Sequence, residues 1–157
     1  MKELKKIIAV FVIFVVGFQL YSRNKSIQEN NDFGEKDHPY LIHFLETNKN
    51  YDLLMAKSED VNDDGKKDLL VIYHPQEEEK NYAVVLLNKD NTQYQATEKF
   101  LAPRENVDIQ FKNIDEKEPI EFIISGSKDG NYGYAIYRMQ ADMTVRDLFS
   151  EDMDNCC

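Results

Sequence analysis

The sequence has 157 residues, enough for one globular domain of ordinary size once an apolar N-terminal segment is set aside. Its 29 acidic residues outnumber 19 basic ones, for a formal net charge of −10. Phosphate binding needs clustered Lys and Arg, so nucleic acid is a poor partner for so acidic a domain and none is expected, and cations or a basic partner suit it better. The only two cysteines are Cys156 and Cys157. No disulfide framework can staple the fold, and its core must be held by apolar packing.

Residues 1–21 read as a basic start followed by a transmembrane signal-anchor helix. Lys2, Lys5 and Lys6 precede a stretch, residues 7–20, that is apolar apart from Gln19. So short a run also fits the core of a signal peptide, because a spanning helix usually needs about 20 residues. Two features favour the uncleaved anchor. Gly17 is followed by Phe18, Gln19, Leu20, Tyr21 and Ser22, which is no small-x-small cleavage site, and no cysteine lies near residue 20 for lipid attachment. Lys5 and Lys6 can snorkel at one end while Tyr21 and Arg23 sit in the interface at the other, extending the span to about 18 residues. The positive-inside rule keeps the Lys-rich end in the cytoplasm. The expected location is therefore the cell membrane, single-pass, with the acidic domain on the extracytoplasmic side. A cleaved signal peptide would leave that domain outside as well.

Residues 22–37 are polar and read as a juxtamembrane linker, with a short glycosylation sequon at Asn24-Lys25-Ser26. Residues 38–150 form the expected domain. Its opening stretch, residues 39–48, predicts a short helix in which Tyr40, Leu41, Phe44 and Leu45 share a face. Residues 69–73, 82–87, 122–124 and 134–137 are apolar or β-branched runs separated by polar, turn-rich segments, the pattern of strands joined by hairpins. The fold expected is mainly β. Its antiparallel hairpins fall into two degenerate blade-like repeats, because an acidic segment, residues 60–68, runs into the first hairpin much as residues 113–121 run into the second. Two units are too few to close a propeller, so a compact sheet or sandwich is expected.

The first acidic segment, Asp60-x-Asn62-x-Asp64-Gly65-x-x-Asp68, has the spacing of a calcium loop. Alternate residues can point inward as the chain curls around a hard cation, and glycine permits the sharp turn. Asp60, Asn62 and Asp64 would offer side-chain oxygens, Lys66 its carbonyl and Asp68 the closing carboxylate. Val71 stands where an EF-hand places its bidentate Glu, so this is not an EF-hand. The loop resembles those of FG-GAP and related extracellular repeats, which likewise lead into a strand. The bland alternative is an Asp/Asn/Gly-rich turn that needs no metal. In the second segment Lys117 replaces Asp64, and no metal is expected there. His38, His43 and His74 are scattered and suggest no site.

Residues 151–157 form an acidic tail ending in Cys156-Cys157. Adjacent cysteines do not readily form a mutual disulfide, because the small ring strains the peptide bond. Vicinal thiols suit two tasks: thiol-disulfide exchange, or capture of a soft metal such as Hg, As, Cu(I) or Zn. Glu151, Asp152 and Asp154 disfavour the thiolate, which points to metal capture, where the cation itself drives deprotonation. The alternative is that the pair is incidental.

The basic start, single apolar helix, D-x-N-x-D-G domain and Cys156-Cys157 end together resemble the Cys-Cys-COOH (seleno)protein family SaoC. The resemblance implies that Cys156 and Cys157 are the working residues. It also implies that a transporter and thioredoxin-like proteins are partners, in a system proposed to handle organometallic or mercury-type compounds. The family's terminal pair can contain selenocysteine; here both positions are sulfur. The expected function is thus a membrane-anchored extracytoplasmic thiol protein that captures a soft metal or organometal, or relays thiol exchange, with calcium as a structural cofactor. The alternative is a calcium-stabilised interaction module with incidental cysteines. No second catalytic group is visible, which leaves open whether the chain is an enzyme.

Overall fold

The computed structural model describes residues 35–90 and 93–148. The expected anchor at 1–21, residues 22–34 of the linker, and the tail with Cys156 and Cys157 lie outside the described residues. Among the described residues no helix is long and apolar enough to cross a membrane.

Among the described residues there is one short helix, α1 (Pro39–Thr47). Pro39 sits in the first turn, where its missing N–H costs nothing, and the His38 side chain caps the helix by accepting from the Tyr40 N–H at 3.2 Å. The strands that follow among the described residues are β1 (Tyr51–Glu59), β2 (Asp68–Pro75), β3 (Asn81–Asn88), β4 (Tyr94–Ala96), β5 (Phe100–Ala102), β6 (Glu105–Lys112), β7 (Glu121–Lys128), β8 (Asn131–Met139) and β9 (Val145–Asp147). They make two antiparallel sheets in simple chain order. The first is β1-β2-β3-β4, with β5 also paired to β3; the second is β6-β7-β8-β9. The expectation of a mainly β domain with antiparallel hairpins and one short helix matches this architecture.

Strand β2 lies at the centre, buried on both faces, which is why it reads as an unbroken apolar run instead of an alternating one. Leu69, Val71 and Tyr73 face α1 and pack with Tyr40, Leu41, Phe44, Val84 and Leu86. Leu70 and Ile72 face the other way. With Val61, Ala83, Val85 and Leu87 they meet Ile109, Phe122, Ile124, Tyr137 and Met139 of the second sheet. The layers are therefore helix, first sheet, second sheet. The far face of the second sheet, carrying Tyr132 and Tyr134, is covered by no element of the described residues; Tyr132 is 72% exposed.

The way the sheets stack follows from their sequence correspondence. Val61, Asp63 and Asp68 precede Ile114, Glu116 and Glu121 by one common offset. By that offset Leu69 and Val71 correspond to Phe122 and Ile124. The first pair faces the helix, whereas the second pair faces the first sheet. Equivalent faces thus point the same way along the stack, so the packing is head-to-tail, not the mirror-like pairing of two inner faces.

Candidate metal centre

The acidic turn between β1 and β2 contains all five residues singled out from the sequence. Asp60 directly follows β1, Asn62, Asp64 and Lys66 lie in the turn, and Asp68 opens β2. Their oxygens converge on the turn's own backbone. The Asp60 carboxylate accepts from the N–H groups of Asp64 at 3.2 Å and Gly65 at 2.8 Å. Asn62 Oδ1 accepts from Asp64 N–H at 3.1 Å, and Asp64 Oδ1 from Lys66 N–H at 2.9 Å. Each accepting side chain therefore turns inward along a curling backbone. Asp63 (φ 60°) and Gly65 (φ 80°) take the left-handed conformation that the curl demands. Among the described residues no three His, Cys, Asp or Glu side chains converge at the spacing of metal ligands.

Asp68 differs from the others in being buried, at 1% exposure. One carboxylate oxygen accepts from Val61 N–H at 3.3 Å, and the other from Asn88 N–H at 2.8 Å, so Asp68 clasps the base of the turn to the end of β3. Burial pushes its carboxyl up to about 6, and the charges of Asp64 and Asp60 add to that rise against the two N–H donors. Among the described residues no Lys or Arg forms an ion pair with Asp60, Asp64 or Asp68. Lys66, within the turn, extends its ammonium to the Lys89 carbonyl at 2.7 Å. The turn is a set of oxygens with excess negative charge.

The second acidic turn, between β6 and β7, repeats the backbone and changes the electrostatics. Glu116 takes the conformation of Asp63, with φ 59°. Glu121, 1% exposed, accepts from Ile114 N–H at 2.9 Å, as Asp68 does from Val61. Asp115 accepts from Lys117 N–H at 3.2 Å, as Asn62 does from Asp64. Here, however, a cation is built in. The Arg138 guanidinium on β8 donates to Asp115 at 2.5 Å and to Glu121, its cross-strand neighbour. That guanidinium holds the Asp115 carboxyl below its ordinary range. In the first sheet Leu69 pairs with Leu86, which puts Leu87 beside Asp68 where Arg138 stands beside Glu121. Leu87 is fully buried between the sheets and offers no charge.

The first turn thus gathers oxygen acceptors, each already turned to a backbone N–H, and an excess of negative charge. Its acceptors are all oxygen, and the cross-strand place that Arg138 holds beside Glu121 in the second sheet belongs to Leu87 beside Asp68 in the first. Sequence reasoning missed Arg138 and Asn88. The first has no motif, and it comes to its carboxylates only through the β7–β8 register; the second is a single Asn at a strand end. Cys156 and Cys157, the expected soft-metal or exchange site, lie outside the described residues. The three histidines are not brought together: His38 caps α1, His43 meets the Tyr94 hydroxyl at 3.1 Å, and His74 meets Asn81 at 2.9 Å. Compared with protein-family models, with curated proteins and with solved structures, the chain finds no match.

Proposed function

We propose that the chain is a membrane-anchored extracytoplasmic thiol protein in which a calcium-stabilised β domain carries the vicinal pair Cys156 and Cys157. The observation that carries the calcium reading is the contrast between the turns: Arg138 bridges Asp115 and Glu121, while among the described residues Asp60, Asp64 and Asp68 have no such partner. Calcium would take side-chain oxygens from Asp60, Asn62 and Asp64, the Lys66 carbonyl and Asp68. Its role would be structural, as in extracellular modules with modest affinity. The two sheets are read as degenerate blade-like repeats. Shared turn conformation, shared buried carboxylates and head-to-tail stacking all support that reading.

The thiol reading rests on composition: the chain's only two cysteines are adjacent, beside Glu151, Asp152 and Asp154. Two soft sulfurs so placed favour capture of a soft metal or organometal over simple nucleophilic attack, because the metal supplies the drive for deprotonation that the acidic surroundings oppose. The membrane reading rests on residues 1–21, and the resemblance adds a transporter and thioredoxin-like proteins as partners. Calorimetric titration of the reduced full chain with Hg²⁺ and Zn²⁺, beside the Cys156→Ser, Cys157→Ser variant, tests it. Tight 1:1 binding lost in the variant is the expected result. Binding no stronger than that of a free thiol would favour the second reading, a calcium-stabilised interaction module with incidental cysteines.

A further inference from the structure

The two sheets repeat one another beyond their acidic turns. Strand β4 meets β3 through Leu86↔Ala96, Leu87↔Gln95 and Asn88↔Tyr94, and β9 meets β8 through Tyr137↔Asp147, Arg138↔Arg146 and Met139↔Val145. One common offset carries the first set of pairs onto the second. The same offset carries the loop bond from Lys89 N–H to the Gln93 carbonyl, 3.0 Å, onto that from Gln140 N–H to the Thr144 carbonyl, 2.9 Å. It also carries the bond from Thr97 N–H to the Val85 carbonyl, 3.0 Å, onto that from Leu148 N–H to the Ile136 carbonyl, 2.8 Å. The two edges are thus built alike, pair by pair, as far as Leu148.

In the first sheet the chain does not leave the edge at that point. After a shift of one residue in register, β5 follows the rest of β3 through Ala83↔Phe100, Tyr82↔Leu101 and Asn81↔Ala102. The matching stretch of β8 is Tyr132–Tyr134, and at Tyr132 and Gly133 the one described strand beside it is β7. A sheet edge left facing water is a template for further pairing, and proteins cover it. The residues that match β5 are Glu151, Asp152 and Met153, the start of the acidic tail. Their chemistry suits the surroundings of the second sheet. Phe100 and Ala102 pack between the sheets, whereas their counterparts Glu151 and Met153 belong to a face that no described element covers. Leu101, 40% exposed, has Asp152 as its counterpart. Met153 falls opposite the exposed Tyr132, and a thioether across from an aromatic ring is a favourable cross-strand pair.

We infer that residues 149–153 continue β9 along the outer edge of β8 and close the second sheet as β5 closes the first. The tail is the occupant because it starts at this edge, next to the bonded Leu148, and because its length reaches the far end of β8 with four residues to spare. Those four, ending in Cys156 and Cys157, then emerge beside the β7–β8 hairpin, at the end of the second sheet opposite its acidic turn. The docking stands on the repeat alone; what it means for the working thiols rests on the thiol reading of the tail.

Amide hydrogen exchange of the full chain in detergent, read by mass spectrometry beside a chain ended after Leu148, tests the docking. Exchange over residues 131–135 is expected to be about tenfold slower in the full chain, with residues 69–73 the same in both. Glu151→Pro with Met153→Pro, which removes two N–H donors and keeps the length of the tail, should raise exchange to the rate of the shortened chain. Equal rates in the full and shortened chains would overturn the inference, as would protection that survives the prolines. Slowing that survives the shortening and grows with protein concentration would give the edge to a second copy, and would overturn it too. A spin label on Cys156 in a Cys157→Ser chain should lie nearer to a label at Lys128→Cys than to one at Asp63→Cys. The reverse order would overturn the placing of the thiols. Weak binding of Hg²⁺ and Zn²⁺ would sink the thiol reading and not the docking, because exchange reads the sheet edge and not the sulfurs.

Discussion

The two acidic turns solve one electrostatic problem in two ways. Each places a buried carboxylate at the start of a central strand to receive an N–H seven residues upstream, Asp68 from Val61 and Glu121 from Ile114. A buried carboxylate without a counter-charge is costly. The second turn meets that cost with Arg138, which lies across the ladder on a sheet face with room for a long side chain. The first turn cannot do so, because its cross-strand position is Leu87, locked between the two sheets. What differs is the packing behind the turn more than the turn itself. In the turn backed by another sheet, the buried carboxylate has the N–H groups of Val61 and Asn88 in place of a guanidinium.

The comparison breaks most visibly at Arg138. Arg138→Leu copies Leu87 into the second turn and leaves Glu121 buried beside no cation, a change expected to cost about 3–5 kcal/mol. Urea unfolding of the variant measures it, and a loss well under 1 kcal/mol would show that the guanidinium is dispensable.

Asp68 gives the next largest effect, with a definite sign. Its folded pKa, about 6, lies above the ordinary 3.8. Between those values the folded state binds more protons than the unfolded one, so calcium-free stability falls as pH rises through that window. The loss from Asp68 is on the order of 3 kcal/mol and is complete above about pH 6. Asp68→Asn should flatten the fall in a chelator-treated series of unfolding curves. Stability that instead rises over the same window in the wild type would contradict the raised pKa.

Calcium at tenfold its dissociation constant should stabilise the domain by about 1.4 kcal/mol. Asp60→Ala or Asp64→Ala should abolish the gain, while Asp115→Ala should not. Thermal unfolding at matched ionic strength separates this specific effect from screening. A gain that survives loss of Asp60 would move the ion elsewhere.

The smallest effect belongs to Lys117, which replaces Asp64 in the second turn. Its contact with Asp115 is exposed and 3.8 Å long, so Lys117→Ala should stay within about 0.5 kcal/mol of wild type. A larger loss would mean that the second turn needs more cation than Arg138 supplies.

Much of the fold is legible in the sequence, and the parts that are not have a common cause. The helix at 39–47 stands where apolar periodicity puts it, and β2, β3, β7 and β8 stand where apolar or β-branched runs put them, because each contributes buried residues to the core. Strands β1 and β6 have no clear signature. In β1 the register shifts between Leu53 and Met55, and in β6 between Glu105 and Asp108, so strict alternation is lost in both. The edge strands β4, β5 and β9, three residues each, are too short to show a period at all. For the site, the ligand spacing of residues 60–68 is visible at once, whereas its asymmetry with residues 113–121 is only half visible. The exchange of Asp64 for Lys117 can be read directly. The guanidinium that matters more arrives from the next strand.

The sequence by itself determined the mainly β class, the short helix, the acidic turns and the solitary cysteine pair, because composition, period and spacing are local properties of a chain. Only the tertiary structure decided which face of each sheet is covered, that the sheets stack head-to-tail, that Leu87 and Arg138 occupy matching places, and that Asn88 joins the first turn to Tyr40. Those facts depend on strand register and on which layer lies behind each side chain, and register is set by the summed burial of whole strands, which no single motif encodes.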